Sequence, residues 1–189
     1  LEFKKFTIQI KNRFILTQIK TGFIIIDQQR AHERILYEFY LKSLLNQSPV
    51  SQQLLFPKDI QLSPADTNVF EEIMDDVIGL GFDLSISSKN SITINGLPFN
   101  TNEKNVTEII DGIIETYKNQ SDGWKENGKK NIAKKLAKTN AIKNGKVMPE
   151  KEMIQLVDDL FLCKMPYVSI YNKPTTLFLS LNELIKRFE

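Results

Sequence analysis

The stretch that decides the fold is IIIDQQRAHERILYE, residues 24–38. Its isoleucines form an apolar β run that ends at Asp27, and a helical pattern follows. The helix carries Glu33, Glu38 and His32, the only histidine of the chain. Carboxylates spaced in this way, where a strand turns into a helix, are typical of metal ligands or acid/base groups. The junction is therefore either a weakened catalytic site or the scaffold of one.

Two interpretations of these carboxylates follow from the residues alone. In the first, Asp27, Glu33 and Glu38 hold divalent ions that activate water for hydrolysis. In the second, Asp27 caps the helix and Glu38 pairs with Lys42 on its surface. Zinc and manganese sites usually need further His or Cys ligands, and the chain has one of each, so the residues favour the second interpretation.

Length and composition exclude several classes of protein. A chain of 189 residues buries a real core, as one domain or two small ones. Lys plus Arg (25) nearly balance Asp plus Glu (23), so no global charge draws it to nucleic acid or membrane. The single Cys163 excludes an internal disulfide and fits a reducing compartment. No apolar run reaches the roughly 18 residues of a membrane span. Because the chain begins LEFKKF, without Met or a signal peptide, we expect a fragment of a longer protein.

The residues around the deciding stretch predict a sheet followed by a helix. Strands are predicted over 5–10, 13–19 and 22–27. The triple isoleucine is apolar on both faces, which predicts a central position for its strand. A helix over 30–45 follows, and Gln47, Ser48 and Pro49 end it.

Residues 50–118 have the pattern of a self-contained β-α-β-β-α unit. Its first strand is interrupted by Pro57. Ser63 and Pro64 are the N-cap and first residue of a helix that runs to Gly79 or Leu80. The remaining elements are strands over 82–86 and 92–94 and a helix that starts at Asn102.

Residues 118–146 predict a lysine-rich helix. Lys130, Lys134 and Lys138 form an i, i+4 ladder on it. The ladder either contacts a phosphate backbone or is a solvated face, and the residues leave both open. The last elements predicted are a helix over 149–162, a strand over 175–179 and a helix that a capping box at Ser180–Glu183 opens and that ends at Phe188.

The predicted fold class is α+β, a mixed α/β arrangement. Strands near both chain ends enclose a complete unit, which indicates a discontinuous domain with an insertion. We expect one subdomain from 1–49 and 119–189, and an inserted subdomain from 50–118.

The segment Gln52-Gln53-Leu54-Leu55-Phe56-Pro57 has an unusual composition. Three large apolar residues precede a proline that prevents full strand pairing, so apolar surface is expected in solvent. Exposed anchors of this kind fit pockets on a partner. The alternative is an ordinary edge strand of the inserted unit.

Several stretches together resemble the C-terminal domain of the bacterial DNA mismatch repair protein MutL. They are IIDQQRAHERILYE, QQLLFP followed by LSPAD, KKLAKTNAIKNGK, and MPY with KPTTLFLSLNELIKRF. Their order and spacing agree over essentially the whole chain. The resemblance implies a dimerisation subdomain from both chain ends and an inserted regulatory subdomain. It also implies an N-terminal ATPase elsewhere in the full protein, so that ATP and Mg belong there and this domain holds no cofactor.

Many members of that family nick DNA with a metal site on the pattern DQHA, two residues, Glu, four residues, Glu. The matching positions here are Asp27, Gln28, Glu33 and Glu38. Gln29 stands at the histidine position, and Lys138 replaces the cysteine of a second motif, ACK or ACR. A third motif, CPHGRP, aligns with SIYNKP at 169–174. The resemblance therefore implies a domain with no catalytic or metal residues and no nuclease activity. The alternative is a metal-dependent DNA-nicking endonuclease that uses Asp27, Glu33 and Glu38.

The resemblance also implies partners. Gln52, Leu54, Leu55 and Pro57 match the family's sliding-clamp-binding peptide, with Phe56 as a further anchor. Expected partners are a second copy of the chain, the sliding clamp, the mismatch-recognition protein MutS and weakly bound DNA, with no membrane. Dimer contacts are expected mainly from the end-derived subdomain, and the candidates are Phe14, Ile15, Phe178 and Leu184. The expected location is the bacterial cytoplasm, near the nucleoid.

Overall fold

The structure is a computed structural model that describes residues 6–46, 50–119 and 124–189. It contains both helices and antiparallel sheets, so the predicted α+β class is confirmed. The elements in chain order are β1 (Thr7–Ile10), β2 (Phe14–Ile19), β3 (Gly22–Asp27), α1 (Gln28–Asn46), β4 (Ser51–Gln61), α2 (Pro64–Gly79), β5 (Asp83–Ser88), β6 (Ser91–Pro98), a 3-10 turn (Glu103–Asn105), α3 (Val106–Lys118), α4 (Trp124–Asn140), α5 (Glu150–Leu162), β7 (Thr176–Ser180) and α6 (Leu181–Ile185).

The chain divides into two compact units. The first comprises Leu1–Leu36 and Ala141–Glu189, and the second comprises Tyr37–Asn140. The boundaries at 49/50 and 118/119 that we expected between subdomains differ from these at both junctions. The first unit ends inside α1, between Leu36 and Tyr37, and α4 belongs to the second unit up to its last residue, Asn140.

The first unit is built on a four-stranded antiparallel sheet, sheet A, in the order β1-β2-β3-β7. The triple-isoleucine strand β3 is central, as its apolar character predicts. One face of the sheet is covered by α5 and the start of α1, and strands contribute every second residue to it. The core residues on this side are Ile15, Ile24, Ile26, Ala31, Met148, Met153, Leu156, Val157 and Leu160.

The second unit contains a three-stranded antiparallel sheet, sheet B, in the order β4-β6-β5. Helix α3 packs against α2 and α4. The predicted helix start at Ser63 is confirmed, because its hydroxyl accepts the Asp66 N–H at 3.1 Å and Pro64 opens α2. The completely or almost completely buried apolar residues of this unit include Phe70, Ile73, Val77, Ile92, Ile94, Val106, Ile109, Ile110, Ile113, Ile132 and Leu136.

Two helices end earlier than predicted. Helix α4 ends at Asn140 instead of continuing to 146, because the N–H of Ile142 donates to the ring of His32 at 2.9 Å. The capping box at Ser180 and Glu183 is confirmed, but α6 ends at Ile185. The predicted turn at 47–49 lies outside the described residues. Within the described ranges, no helix has both the length and the apolar character to cross a membrane.

Candidate functional site

The carboxylate of Asp27 lies at the junction of β3 and α1, between two arginines. Its Oδ1 accepts the backbone N–H of Arg30 at 3.0 Å, which is the helix-capping contact of the second interpretation. Its Oδ2 lies 3.7 Å from Nη2 of Arg13 and 3.6 Å from Nε of Arg30. The guanidinium of Arg13 also stacks on the ring of Phe14, 4.9 Å from its centroid. Asp27 is thus the anion at the centre of a cationic cluster.

Gln28 is completely buried and acts as a structural bridge. Its amide nitrogen donates to the carbonyls of Asn12 at 2.9 Å and of Lys143 at 3.1 Å. Its amide oxygen accepts from the Gln9 side chain at 2.6 Å. These bonds tie the β1–β2 turn and the segment after α4 to the start of α1.

The other acidic residues of the motif do not share the surroundings of Asp27. Glu33 is buried and accepts a hydrogen bond from Nε2 of Gln29 at 3.0 Å. Glu38 belongs to the second compact unit. Over residues 6–46, 50–119 and 124–189, no group of three or more His, Cys, Asp or Glu side chains is placed to hold a metal ion.

His32 is a neutral hydrogen-bond acceptor in the fold. Its Nδ1 accepts the N–H of Ile142, so the ring holds the segment after α4. Burial, and after it the positive charge of Lys146, lower the pKa of His32 to about 4, whereas the charge of Asp159 acts in the opposite direction. The ring is therefore uncharged at neutral pH.

The loop at 169–174 is held by arginines of α1. Arg34 donates to the carbonyls of Val168 at 2.7 Å and Ser169 at 2.9 Å, and Arg30 donates to that of Pro174 at 2.9 Å. Tyr171 of this loop has a pKa raised by its burial and by the charge of Glu33. The guanidiniums of Arg30 and Arg34 thus lie against the backbone of this loop, which also carries the phenol of Tyr171.

A cavity of about 270 Å³ opens beside Asp27. We call it the Asp27 pocket. Both polar and apolar residues line it. The lining residues are Arg13, Phe14, Ile25, Asp27, Arg30, Pro174, Thr175, Thr176 and Leu177.

The face of sheet A opposite the core is also apolar. Side chains at paired positions of antiparallel strands lie on the same side of a sheet. One such row crosses all four strands and consists of Ile8, Leu16, Ile25 and Leu177. We call this surface the open face. It comprises Ile8, Ile10, Phe14, Leu16, Phe23, Ile25, Leu177 and Leu179, which are all exposed or half-buried, Leu177 being 62% exposed.

The four residues that we expected at a dimer interface occupy different places. Phe14 lies on the open face. Ile15 is completely buried in the core, one position away from that face. Phe178 is half-exposed on the core side of β7, where its ring lies 5.8 Å from that of Tyr167. Leu184 is half-buried on α6.

The segment Gln52–Pro57 of β4 is strongly exposed. The predicted interruption at Pro57 is absent, because β4 is continuous from Ser51 to Gln61. Its register with β6 nevertheless shifts between Gln53 and Lys58. The shift leaves residues 54–57 without regular partners in the ladder. Leu55 is 94% and Phe56 80% exposed, and Leu54 is half-buried. We call residues 52–57 the docking segment.

The lysine ladder lies on α4 of the second unit. Lys130 and Lys138 are exposed, and Lys134 is half-buried. Among the neighbouring lysines, Lys129 lies 3.9 Å from Asp76, and the aliphatic chain of Lys135 covers Gly112. The ladder residues thus present their positive charge on one side of the helix.

Comparison with known proteins identifies the family. The model of the family described as "MutL C terminal dimerisation domain" matches residues 7–148. The chain belongs to this family. It is similar to the DNA mismatch repair protein MutL of Chlorobium phaeobacteroides (strain BS1), with 36% identity over 180 residues, and of Chlorobaculum tepidum, with 39% identity over 180 residues. For the MutL protein of Chloroherpeton thalassium the identity is 38% over 185 residues. These matches cover 95 to 98% of the chain but only 29% of each relative.

The sequence predicted only some of the surfaces of this MutL dimerisation domain that a partner could contact. The open face went unnoticed, although its signal is present: β2, β3 and β7 carry apolar residues at both odd and even positions. Arg13 was also missed, because only the β1–β2 turn brings it to Asp27. The exposure of Leu55 and Phe56 agrees with the prediction for the docking segment.

Proposed function

We propose that this chain is the homodimerisation and partner-docking domain of a mismatch repair MutL protein and has no nuclease activity of its own. The open face of sheet A is the observation that carries the proposal. It is a contiguous apolar surface across four strands, and such surfaces on soluble proteins usually mark interaction sites. In a member of a dimerisation family, a second copy is the natural occupant, through a two-fold arrangement of the same face.

The docking segment supports a second contact, with the sliding clamp. Leu55 and Phe56 project into solvent, where they gain nothing for the fold. The bulge leaves their backbone outside the ladder, so a partner can surround the segment. Gln52 is exposed and suits a polar contact at the rim of a pocket. We assign the leucines and Phe56 to the pocket itself.

The surroundings of the acidic motif support the absence of nuclease activity. A catalytic divalent ion needs anionic or neutral donors that converge on it. Here the carboxylate of Asp27 faces two guanidiniums, and that of Glu33 is bonded to the amide of Gln29. Lys138 and the loop at 169–174 supply no thiolate or imidazole. The residues present do not fit the metal site of the nicking members.

Fewer observations support the other expected partners, which are DNA and MutS. The exposed charges of Lys130 and Lys138 support weak contacts with the DNA backbone, without sequence preference. Contact with MutS and linkage to an N-terminal ATPase are proposed from the family alone.

The decisive experiment measures the oligomeric state. Sedimentation of the chain at micromolar concentration should show a dimer. Leu177→Glu places a charge on the open face and should weaken the dimer at least about tenfold, because the carboxylate must lose water in the interface. The matched control is Leu162→Glu, an exposed leucine in the helix layer on the opposite side of sheet A. A monomeric chain, or equal dissociation constants for both variants, would remove this interface.

The nuclease rival has a separate test. Supercoiled plasmid is incubated with manganese, the clamp and the chain or the full protein. We expect no nicking above that of a Glu33→Ala variant. Nicking that Glu33→Ala abolishes, together with loss of bound manganese, would establish the endonuclease instead.

A further inference from the structure

The Asp27 pocket and the open face share part of their surface. Phe14, Ile25 and Leu177 line the pocket and also belong to the open face. Asp27 itself pairs with Phe14 across β2 and β3, at the end of that face. A partner that covers Phe14, Ile25 and Leu177 on the open face therefore also covers part of the pocket lining.

The carboxylate in the pocket is buried, whereas the two guanidiniums beside it are partly exposed. The side chain of Asp27 is 8% exposed, whereas those of Arg13 and Arg30 are 46% and 33% exposed. Each guanidinium thus keeps contact with water on its outer side and faces Asp27 on its inner side. With two cations and one anion, the cluster carries a net charge of +1. Without the carboxylate it would carry +2.

We propose that Asp27 is a positioning residue for homodimerisation: it neutralises the Arg13–Arg30 pair so that a second copy can cover the pocket. This inference rests on the proposed homodimer through the open face. When the second copy covers the pocket, both guanidiniums lose part of their hydration. A charge removed from water is tolerated only when a counterion with good geometry stays beside it. Asp27 supplies that counterion within each protomer, before the protomers meet.

A purely local role for Asp27 makes a different prediction. If the residue only caps α1, then any side chain that accepts the Arg30 N–H replaces it. Asparagine caps helices about as well as aspartate, so Asp27→Asn removes the charge and retains the cap. The counterion role predicts a weaker dimer for this variant, whereas the capping role predicts no change.

The experiment compares dimer dissociation constants of the full chain by sedimentation at low and at high salt. Asp27→Asn should weaken the dimer at least about tenfold at low salt, and added salt should recover part of the loss through screening. Asp27→Asn combined with Arg13→Gln restores the original net charge of the cluster and should restore most of the affinity.

Two further variants make the outcome unambiguous. Pro174→Lys adds a cation to the pocket wall without altering Asp27, and it should weaken the dimer even if Asp27→Asn fails to fold. Leu177→Glu tests the open face itself. Suppose that Leu177→Glu disrupts the dimer, whereas Asp27→Asn and Pro174→Lys change its dissociation constant by no more than a factor of about two. This result would overturn the role of Asp27 and leave the open-face interface standing. A dimer insensitive to Leu177→Glu would instead remove the interface on which it rests.

Discussion

Replacement of Leu55 and Phe56 by serine should separate partner docking from folding. The two side chains are 94% and 80% exposed, so their removal takes almost no buried apolar area from the folded chain. Surface substitutions of this kind change the free energy of unfolding by at most about 0.5 kcal/mol. The thermal unfolding temperature and the dimer should therefore be unchanged.

The loss of clamp affinity should be much larger. Full burial of a Leu or Phe side chain contributes roughly 1.5–3 kcal/mol. If both anchors enter a pocket on the clamp, the double variant loses roughly 3–6 kcal/mol of binding free energy. At about 1.4 kcal/mol per factor of ten, the dissociation constant should rise by roughly a hundredfold to ten-thousandfold.

Fluorescence anisotropy with a labelled bacterial sliding clamp measures this directly. Ile86→Ser is the matched control, because Ile86 is 42% exposed on β5, the opposite edge of sheet B. It should leave clamp affinity unchanged. Equal clamp affinity for the double variant and the unchanged chain would refute the assignment of the docking segment. A large drop in its unfolding temperature would show that the segment is structural.

Three further outcomes are expected. Reversal of Lys130, Lys134 and Lys138 to glutamate should weaken DNA binding and flatten its dependence on salt, measured by filter binding; an unchanged salt slope would exclude the ladder as the contact. The free energy of unfolding should fall between pH 6.5 and pH 4, because the unfolded chain protonates His32 near its ordinary pKa of 6.5, whereas the fold holds the pKa at about 4. Measured by urea titration, the free energy of unfolding should fall by up to about 3 kcal/mol over this range. His32→Asn should abolish this dependence on pH. Gly22→Ala should destabilise the chain by more than about 1 kcal/mol in the same assay, because Gly22 has φ of 151° and a Cβ there would meet the carbonyl of Leu179.

Most of the secondary structure was predictable because local chemistry specifies it. The caps at Ser63 and Ser180 are short-range hydrogen bonds between residues three apart, and both are present. The central place of β3 follows from residues that need cover on both faces. The ends of α4 and α6 were less accurate. A helix end depends on competing donors and acceptors, and the acceptor for Ile142 is a histidine far away in the sequence.

The acidic motif shows where prediction from sequence stops. The spacing of Asp27, Glu33 and Glu38 suggests one site, yet the contacts of Asp27 and Glu33 are to different partners, the Arg30 N–H and the Gln29 amide. The partner of Asp27 is Arg13, and its approach depends on the pairing of β1, β2 and β3. Ile15 and Phe14 are neighbours in sequence but lie on opposite faces of the same strand. Such distinctions need the register of the sheet.

The amino-acid sequence by itself determined the strand and helix pattern, the family, and the presence of an exposed apolar segment before Pro57. These depend on periodicity and on side-chain chemistry within a few residues, which the chain carries everywhere along its length. Only the tertiary structure decided that sheet A has an open face and that Asp27 lies between two guanidiniums. Both result from strands pairing across long sequence separations, which places distant side chains on one side of a sheet.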